Sequence, residues 1–196
     1  MMLAFSCFCD AHFHICDVYS VDMDFAAGIN NFSLYMGCSS CASFEEFNQQ
    51  KKIISSCNGE KVFVVSSYGV HPQNPLVENL SVLESLLEED KIVAVGEFGI
   101  DLFNEDFKAF RDKQEIVWNY QLELAIKYNK PIIIHCRKGM EFIFKYCNKL
   151  KLLPSVLFHS FGGSFVEAMS ILNKGVNAFF SFGKSISTFG CENQME

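Results

Sequence analysis

Short apolar runs alternate with longer amphipathic stretches along most of this chain of 196 residues. The apolar runs are nearly continuous, which is typical of parallel strands that are covered on both faces. Seven strands are predicted, over residues 5–9, 34–38, 62–67, 92–96, 131–135, 155–159 and 177–182. Repeated strand–helix units of this kind predict an α/β fold with a parallel sheet, either closed as a barrel or open and doubly wound.

A serine followed by a glutamate three residues later predicts the start of three of the intervening helices. The three pairs are Ser43 and Glu46, Ser81 and Glu84, and Ser164 and Glu167. Apolar residues recur behind each pair at helical spacing, among them Phe44 in the first helix and Val166, Met169 and Leu172 in the third. Gly175 is predicted to end the third helix. Further amphipathic patterns predict helices near residues 108–129 and 140–150.

Composition restricts the class of protein only in part. No low-complexity linker or long charge block interrupts the chain, so a single domain over residues 1–196 is predicted. The net charge of −7 argues against a broad basic face for nucleic acid, but it leaves room for a small phosphate site. Nine cysteines without a paired metal motif indicate a reducing compartment, which predicts a cytoplasmic protein. The apolar start is interpreted as a first strand, and no run is long enough for a membrane helix.

The histidines share one position relative to the predicted strands. Each lies at or just beyond the carboxyl end of a strand, and so does Glu97; the histidines are His12, His14, His71, His135 and His159. In a (β/α) barrel these strand ends face one mouth, where such folds place their chemistry. In an open sheet fewer strands would carry ligand groups. The spread over five strands therefore favours a TIM-type barrel.

This set of residue types suits a pair of divalent cations. His12 and His14 are two residues apart on a strand, so both rings point to one face. Two cations a few ångströms apart need a bridging carboxylate and neutral nitrogen ligands on either side. Glu97 is placed to bridge, with His12 and His14 on one cation and His135 and His159 on the other. Each residue also has a simpler interpretation, such as a solvated strand face, a helix cap or a buried structural histidine.

Two positively charged residues directly follow one of these histidines. Arg137 and Lys138 come after His135 and are predicted to bind a substrate phosphate, for which the guanidinium fork is well shaped. Their alternative is a solvated loop. Amide hydrolysis, the other reaction common in such barrels, would not need them.

At this point the sequence resembles the TatD family of metal-dependent deoxyribonucleases, within the amidohydrolase-like barrels. Six stretches carry the resemblance in family order: DAHFH (10–14), YGVHP (68–72), GEFGID (96–101), KPIIIHCRK (130–138), FHSFGGS (158–164) and SFGKSIS (181–187). The resemblance implies a metal-dependent hydrolase with two bound metal ions that acts on DNA or another phosphodiester. It implies the same ligand set and adds two assignments. Asp10 is placed beside the ligands to orient a histidine, and His71 is a catalytic or phosphate-touching pocket residue. Asp101 matches the end of the fourth-strand motif, where it is either part of the site or a structural turn residue.

One departure from the family leaves alternatives open. The family has a late strand whose aspartate binds metal and can act as general base, and here no aspartate follows Asp112. We therefore expect no ordinary eighth strand and impaired activity. The chain is either a slow enzyme, an inactive relative that still binds metal or nucleic acid, or one half of a homodimer that covers the open barrel edge. A hydrolase of C–N bonds is the other enzymatic alternative. The metal is Zn²⁺, Mg²⁺ or Mn²⁺, which the residues do not distinguish.

Overall fold

The fold is built on seven parallel strands, each paired only with its neighbours in sequence. The computed structural model describes residues 7–183. The strands are β1 (Cys7–Phe13), β2 (Leu34–Cys41), β3 (Val62–Tyr68), β4 (Ala94–Asp101), β5 (Ile132–Arg137), β6 (Val156–His159) and β7 (Ala178–Phe180). The seven predicted strands are thus confirmed, although residues 5 and 6 of the first lie outside the described residues. The single domain predicted for residues 1–196 also extends beyond them and stays a prediction.

Eight helices connect and follow these strands within the described chain. They are α1 (Ile15–Val21), α2 (Phe25–Ile29), α3 (Phe44–Cys57), α4 (Leu80–Glu88), α5 (Glu105–Ala109), α6 (Arg111–Lys127), α7 (Met140–Leu150) and α8 (Phe165–Asn173). The short helices α1 and α2 have no predicted counterpart. The pattern predicted over 108–129 is divided between α5 and α6, which meet at Phe110. No helix of residues 7–183 is both long and apolar enough to cross a membrane.

The sheet is strongly curled. His12 of β1 and His159 of β6 have ring centroids only 4.1 Å apart, although four strands lie between theirs in the sheet. In a flat sheet, five strand spacings would separate them by about 24 Å. Sequential right-handed crossovers place the helices on one face, so the sheet closes around the other. The described residues form a barrel-like half-shell of seven strands, which confirms the barrel over the doubly wound sheet.

Two of the three predicted helix starts are confirmed and one is wrong. Ser43 caps α3 and Ser164 caps α8, each accepting a hydrogen bond from the glutamate N–H three residues on. The capping box at Ser164 is complete. Ser81 lies inside α4, whose N-cap is Asn79, and the Ser81 hydroxyl donates to the carbonyl of Glu78. A 3₁₀ turn before α4 displaces its start from the predicted position.

The main core lies between β4–β6 and the helices outside them. Trp118 of α6 is fully buried and packs at steep angles against the rings of Phe98, Phe142 and Tyr146, with ring centroids 5.1, 5.5 and 5.4 Å away. Each such buried ring contributes roughly 2 kcal/mol or more through removal of apolar area from water. This packing makes β4 and β5 a rigid support for the residues at their carboxyl ends.

Apolar side chains remain exposed on the other face and at the β7 side of the shell. Met36, Phe63 and Phe179 are 43, 50 and 56 % exposed, whereas their strand neighbours pack against helices. On α8, the predicted apolar face is exposed too, with Val166 at 74 %, while Ile171 is the buried residue. Phe44 of α3 is likewise 55 % exposed. Any eighth strand, and residues 184–187 of the last family-like stretch, lie outside the described residues.

Candidate metal centre

Strand geometry sets the two histidines of β1 side by side. His12 lies inside β1, and His14 follows the strand as the N-cap residue of α1. Side chains two residues apart in an extended chain point to the same face, so both imidazoles reach the carboxylate of Glu97. Their ring centroids are 5.0 Å apart and the rings are nearly perpendicular, at 87°.

All five histidines converge on one carboxylate. Glu97 lies in the middle of β4, four residues before its end, and is only 4 % exposed. Two histidines face Oε2 of Glu97: His12 Nε2 is 3.0 Å and His14 Nε2 is 3.4 Å from it. The other three face Oε1, at 3.6 Å for His71 Nε2, 2.7 Å for His135 Nδ1 and 3.2 Å for His159 Nε2. A flat arrangement of the five strands would not bring these nitrogens together. The cluster is therefore a product of the curl of the sheet.

The two carboxylate oxygens divide the histidines into two groups. Three-ligand groups with all donor atoms within 4.8 Å of one another are formed by His12, His14 and Glu97, and by His71, Glu97 and His135. The first is the set predicted for one cation. The second contains His71 in place of the predicted His159. Glu97 belongs to both groups, as a bridging residue must.

Neighbouring backbone groups distinguish His14 from His71. His14 Nδ1 lies 3.1 Å from the carbonyl oxygen of Ser40, which can only accept, so this nitrogen carries the proton and Nε2 offers a lone pair. His71 Nδ1 accepts from the N–H of Gln73 at 3.3 Å, so in the neutral ring the proton is on Nε2. His14 is thus prepared to ligate at Nε2, whereas His71 presents an N–H to the same carboxylate. This difference favours His159 over His71 as a metal ligand.

Asp101 holds the ring of His135 from the opposite side. Its Oδ2 lies 3.0 Å from His135 Nε2, while His135 Nδ1 faces Glu97. Asp101 is fully buried and also accepts from the side chain of Gln73 and the N–H of Phe103. The Asp101 carboxylate favours the tautomer of His135 that carries its proton on Nε2. The lone pair of Nδ1, on the side of Glu97, is then available to a metal ion. The contact with His135 favours the interpretation of Asp101 as part of the site over that of a structural turn residue.

Burial and the histidines together set the charge of the cluster. Burial acts to raise the pKa of Glu97, but the contacts with His12, His135, His14 and His71 outweigh it and hold that pKa well below its usual range. Burial lowers the pKa of His159 to about 4, so this ring is neutral at pH 7. Burial also acts to lower the pKa of His135, yet Glu97 and Asp101 raise it overall. The cluster consequently holds an ionised carboxylate at its centre and the neutral ring of His159 beside it.

The residues of the cluster fit divalent cations. His12 Nδ1 contacts the Ser40 hydroxyl at 2.9 Å, and its Nε2 is buried without a well-aligned hydrogen-bond partner in the described chain, although Glu97 Oε2 is 3.0 Å away. A buried nitrogen of this kind is costly unless something satisfies it. Imidazole nitrogens around one carboxylate are donors that Zn²⁺ and similar ions accept. A cavity of about 70 Å³ beside Glu97, lined also by His14 and His71, has room for small ions or waters.

Other predicted and unpredicted residues support the cluster from behind. Asp10, predicted to orient a histidine, accepts from the backbone N–H of His12 at 3.2 Å and so contacts its main chain. Ser40 was not predicted; its hydroxyl contacts both the His12 ring and the Ser67 hydroxyl, the latter at 2.6 Å. The only sequence signal for Ser40 is a polar residue at the end of an apolar strand. Its role depends on the register between β1, β2 and β3, which a sequence pattern does not fix.

Close packing of β4 against β5 explains one glycine of the GEFGID stretch. A Cβ on Gly99 would lie 1.8 Å from the carbonyl oxygen of His135. Any other residue would force the two strands apart and move His135 relative to Glu97. The glycine therefore helps to set the distance between the two ligands.

Arg137 and Lys138 lie exposed at the end of β5, next to the cluster. The Arg137 guanidinium carbon is 3.4 Å from the centroid of the Phe103 ring, and Lys138 Nζ is 5.0 Å from it. Neither side chain is ion-paired with an acid among the residues that the structure describes. Their place is compatible with the predicted binding of phosphate, which stays a prediction.

Similarity to a known protein family extends over most of the chain. The model of a family described as TatD related DNase matches residues 9–195. Among curated proteins, the chain is similar to the 3'-5' ssDNA/RNA exonuclease TatD of Pantoea ananatis, with 34 % identity over 116 residues. It is also similar to the protein of that name from Escherichia fergusonii, with 32 % identity over 115 residues. Both matches cover 57 % of this chain and only 44 % of the relative, so the chain matches less than half the length of these relatives.

Solved structures show the same fold over most of the chain. The TatD homologue YJJV of Escherichia coli K12 has a TM-score of 0.73 and 25 % identity, covering 91 % of this chain and 69 % of that one. A TatD family hydrolase from Entamoeba histolytica has a TM-score of 0.69 and 23 % identity, covering 90 % and 65 %. The second comparison concerns the fold alone.

Proposed function

Because the chain belongs to the TatD-related DNase family, we propose that it is a metal-dependent hydrolase that cleaves phosphodiester bonds of nucleic acid at the cluster around Glu97. The convergence of five histidines on one buried carboxylate carries this proposal. An ordinary structural glutamate has no need of five imidazole neighbours, whereas a pair of cations needs a shared anionic ligand and several neutral nitrogens. The activity for which those relatives are named, 3'-5' exonuclease action on single-stranded DNA or RNA, supports nucleic acid as the substrate class.

Two divalent cations would be held around Glu97, the residue they share. His12 and His14 would serve one, and His135 and His159, the latter in place of His71, would serve the other, with zinc, magnesium or manganese as candidates. When bound, such cations activate water as a nucleophile and offset negative charge on the phosphate. The metal number and identity are part of the proposal.

The chain's own residues position and neutralise the substrate. Glu97 stays ionised and would be the ligand that both cations share, while Asp101 fixes the orientation of His135. His71, partly exposed and with its proton on Nε2, would donate a hydrogen bond to a phosphate oxygen. Arg137 and Lys138 bind the phosphate from the mouth.

The exposed basic side chains at the end of β5 favour a phosphate ester over an amide as the substrate. Arg137 and Lys138 make no ion pair within residues 7–183, so both charges are available to an anionic substrate. An amide carries no such charge, so its hydrolysis would leave them without a role. The C–N hydrolase predicted as an alternative is therefore the weaker candidate.

Elemental analysis coupled to cleavage of a 5′-labelled single-stranded oligonucleotide tests the proposal. The natural chain should contain metal and shorten the oligonucleotide, and Glu97→Gln should lose both properties. Glu88→Gln, an exposed glutamate on α4, is the control and should behave as the natural chain. Equal traces of cleavage in the natural chain and Glu97→Gln would indicate contamination. Bound metal without cleavage would support the inactive relative instead.

Partner and location complete the proposal. A homodimer that covers the open edge stays part of the proposal, and its basis is the half-exposed ring of Phe179 on β7, the last strand of the described sheet. A concentration-dependent mass in sedimentation would support the dimer, and a constant monomer mass would contradict it. All eight cysteines that the structure describes are free thiols, in keeping with the reducing cytoplasm.

A further inference from the structure

Phe103 occupies a rigid position at the mouth of the shell. Its backbone N–H donates to Asp101 Oδ1 at 3.0 Å, and the N–H of the preceding Leu102 donates to the carbonyl of Arg137 at 2.9 Å. Asp101 and Arg137 are also register partners across β4 and β5. The loop that carries the ring is therefore tied to both strands before any ligand arrives, which reduces the entropic cost of binding.

Two consecutive basic side chains, Arg137 and Lys138, lie over the ring of Phe103. Side chains of consecutive strand residues point to opposite faces, yet both Arg137 and Lys138 lie over Phe103, at 3.4 and 5.0 Å. A left-handed backbone at Lys138, with φ of 55°, breaks the alternation and turns the second cation towards the first. The three side chains form one surface, which we call the Phe103 platform.

The Phe103 platform remains open to a ligand. Phe103 is 44 % exposed even with the guanidinium stacked on it. The cations make no hydrogen bond through their side chains to other described residues, so their N–H groups are unused. A guanidinium stacked on a ring keeps its in-plane N–H groups free for an oxygen acceptor. The surface thus combines a flat apolar area with donors for an anion.

The Phe103 platform adjoins the proposed catalytic cluster through both strands. Phe103 is two residues beyond Asp101, which contacts the His135 ring, and Arg137 is two residues beyond His135 itself. A polynucleotide phosphate at the cluster would therefore place a neighbouring base within reach of the ring. A phosphate alone would use the cations but would have no use for the aromatic face.

We propose that Phe103, together with Arg137, forms a stacking subsite for a nucleobase next to the phosphodiester that the Glu97 cluster cleaves. The inference rests on the proposed function and deepens it, because it predicts a substrate with bases rather than any phosphodiester. Stacking is tolerant of sequence, since every base has a flat face. The subsite therefore selects nucleic acid without selecting a sequence.

Matched oligonucleotides with and without bases test the subsite. The probes are a short single-stranded thymidine oligonucleotide and the same backbone with abasic residues at its 3′ end. Phe103→Ala should lower kcat/KM for the thymidine probe about tenfold or more beyond any effect on the abasic probe, the scale of one lost base–aromatic stack. Phe103→Trp should retain the preference for bases. Phe63→Ala, at a similarly exposed ring near the amino end of β3, should change neither rate.

The outcomes separate this inference from the proposed function. If the natural chain cleaves both probes equally well, or if Phe103→Ala slows both equally, the subsite is refuted while the nuclease stands. If neither probe is cleaved, fluorescence anisotropy of the same two probes decides. Tighter binding of the thymidine probe that Phe103→Ala removes would support the subsite without the enzyme. Equal or absent binding of both probes would refute the subsite as well.

Discussion

Replacing Glu97 with glutamine should remove the stabilisation that divalent cations give to this fold. Glu97 is the one residue common to both three-ligand groups, so in the proposed two-cation site its carboxylate would contribute to both ions. A cation that binds only the folded state stabilises it by about 2.7 kcal/mol at one hundred times its dissociation constant. Two cations would contribute about 5 kcal/mol. For a chain of this size, that raises the melting temperature by roughly 10 to 20 °C.

The size of the loss follows from the chemistry of the substitution. Glutamine has nearly the shape of glutamate, but it lacks the charge and offers only one oxygen. Loss of a residue behind a metal ligand typically weakens binding about 10- to 100-fold, and loss of a bridging ligand should weaken it at least 100-fold. At the same cation concentration only about 0.4 kcal/mol per cation would then remain. The melting temperature should shift by a few degrees at most.

Emission from Trp118 gives a direct assay. It is the single tryptophan of the chain and is fully buried, so its fluorescence reports unfolding of the core. Melting is compared with chelator and with zinc or manganese, for the natural chain, Glu97→Gln and Glu88→Gln. If Glu97→Gln keeps the full cation-dependent shift, Glu97 is not the shared ligand and the reasoning fails.

The same melting assay decides whether His71 or His159 joins Glu97 and His135 as a ligand of the second cation. His71 has its neutral-ring proton on Nε2, so His71→Ala should keep nearly all of the cation-dependent shift. His159 is a neutral ring beside Glu97, so His159→Ala should lose about half of it. The reverse result would exchange the roles of the two residues.

Three further outcomes are expected. Asp101→Asn should weaken cation binding about 10- to 100-fold in calorimetry, because an amide facing His135 Nε2 favours the wrong tautomer; unchanged affinity would contradict this. Gln121→Ala should lower the free energy of unfolding in urea by about 2 kcal/mol or more, since the buried N–H and carbonyl of Val70 lose their partners; a change below about 0.5 kcal/mol would refute it. Burial raises the pKa of Cys38 from 9.0 to about 11, so its thiol stays protonated in the fold while the unfolded chain ionises. Stability should therefore fall above pH 9 by about 1.4 kcal/mol per pH unit from this group, a slope that Cys38→Ser should remove in urea titrations at pH 8 to 11.

Local sequence signals predicted strands and helices wherever one interaction dominates. The run Ile132–Ile134 is buried on both sides and forms β5 as expected, and Ser164 caps α8 with the full reciprocal box. The prediction that Ser81 caps α4 was wrong because the chain enters this helix through a 3₁₀ turn, which makes Asn79 the N-cap residue. The apolar face predicted for α8 is exposed because burial depends on which neighbouring elements cover a helix, and a helical period contains no information about them.

By itself, the sequence determined a parallel α/β fold and predicted the histidines and Glu97 at or just beyond the carboxyl ends of its strands, although Glu97 proved to lie inside β4. It did so because strand periodicity and residue type are local properties of the chain. The tertiary structure alone decided that all five imidazoles meet one carboxylate, that Asp101 and Ser40 orient two of them, and that Arg137 stacks on Phe103. These contacts depend on the curl of the sheet and the register of its strands, which arise only when residues far apart in the chain pack together.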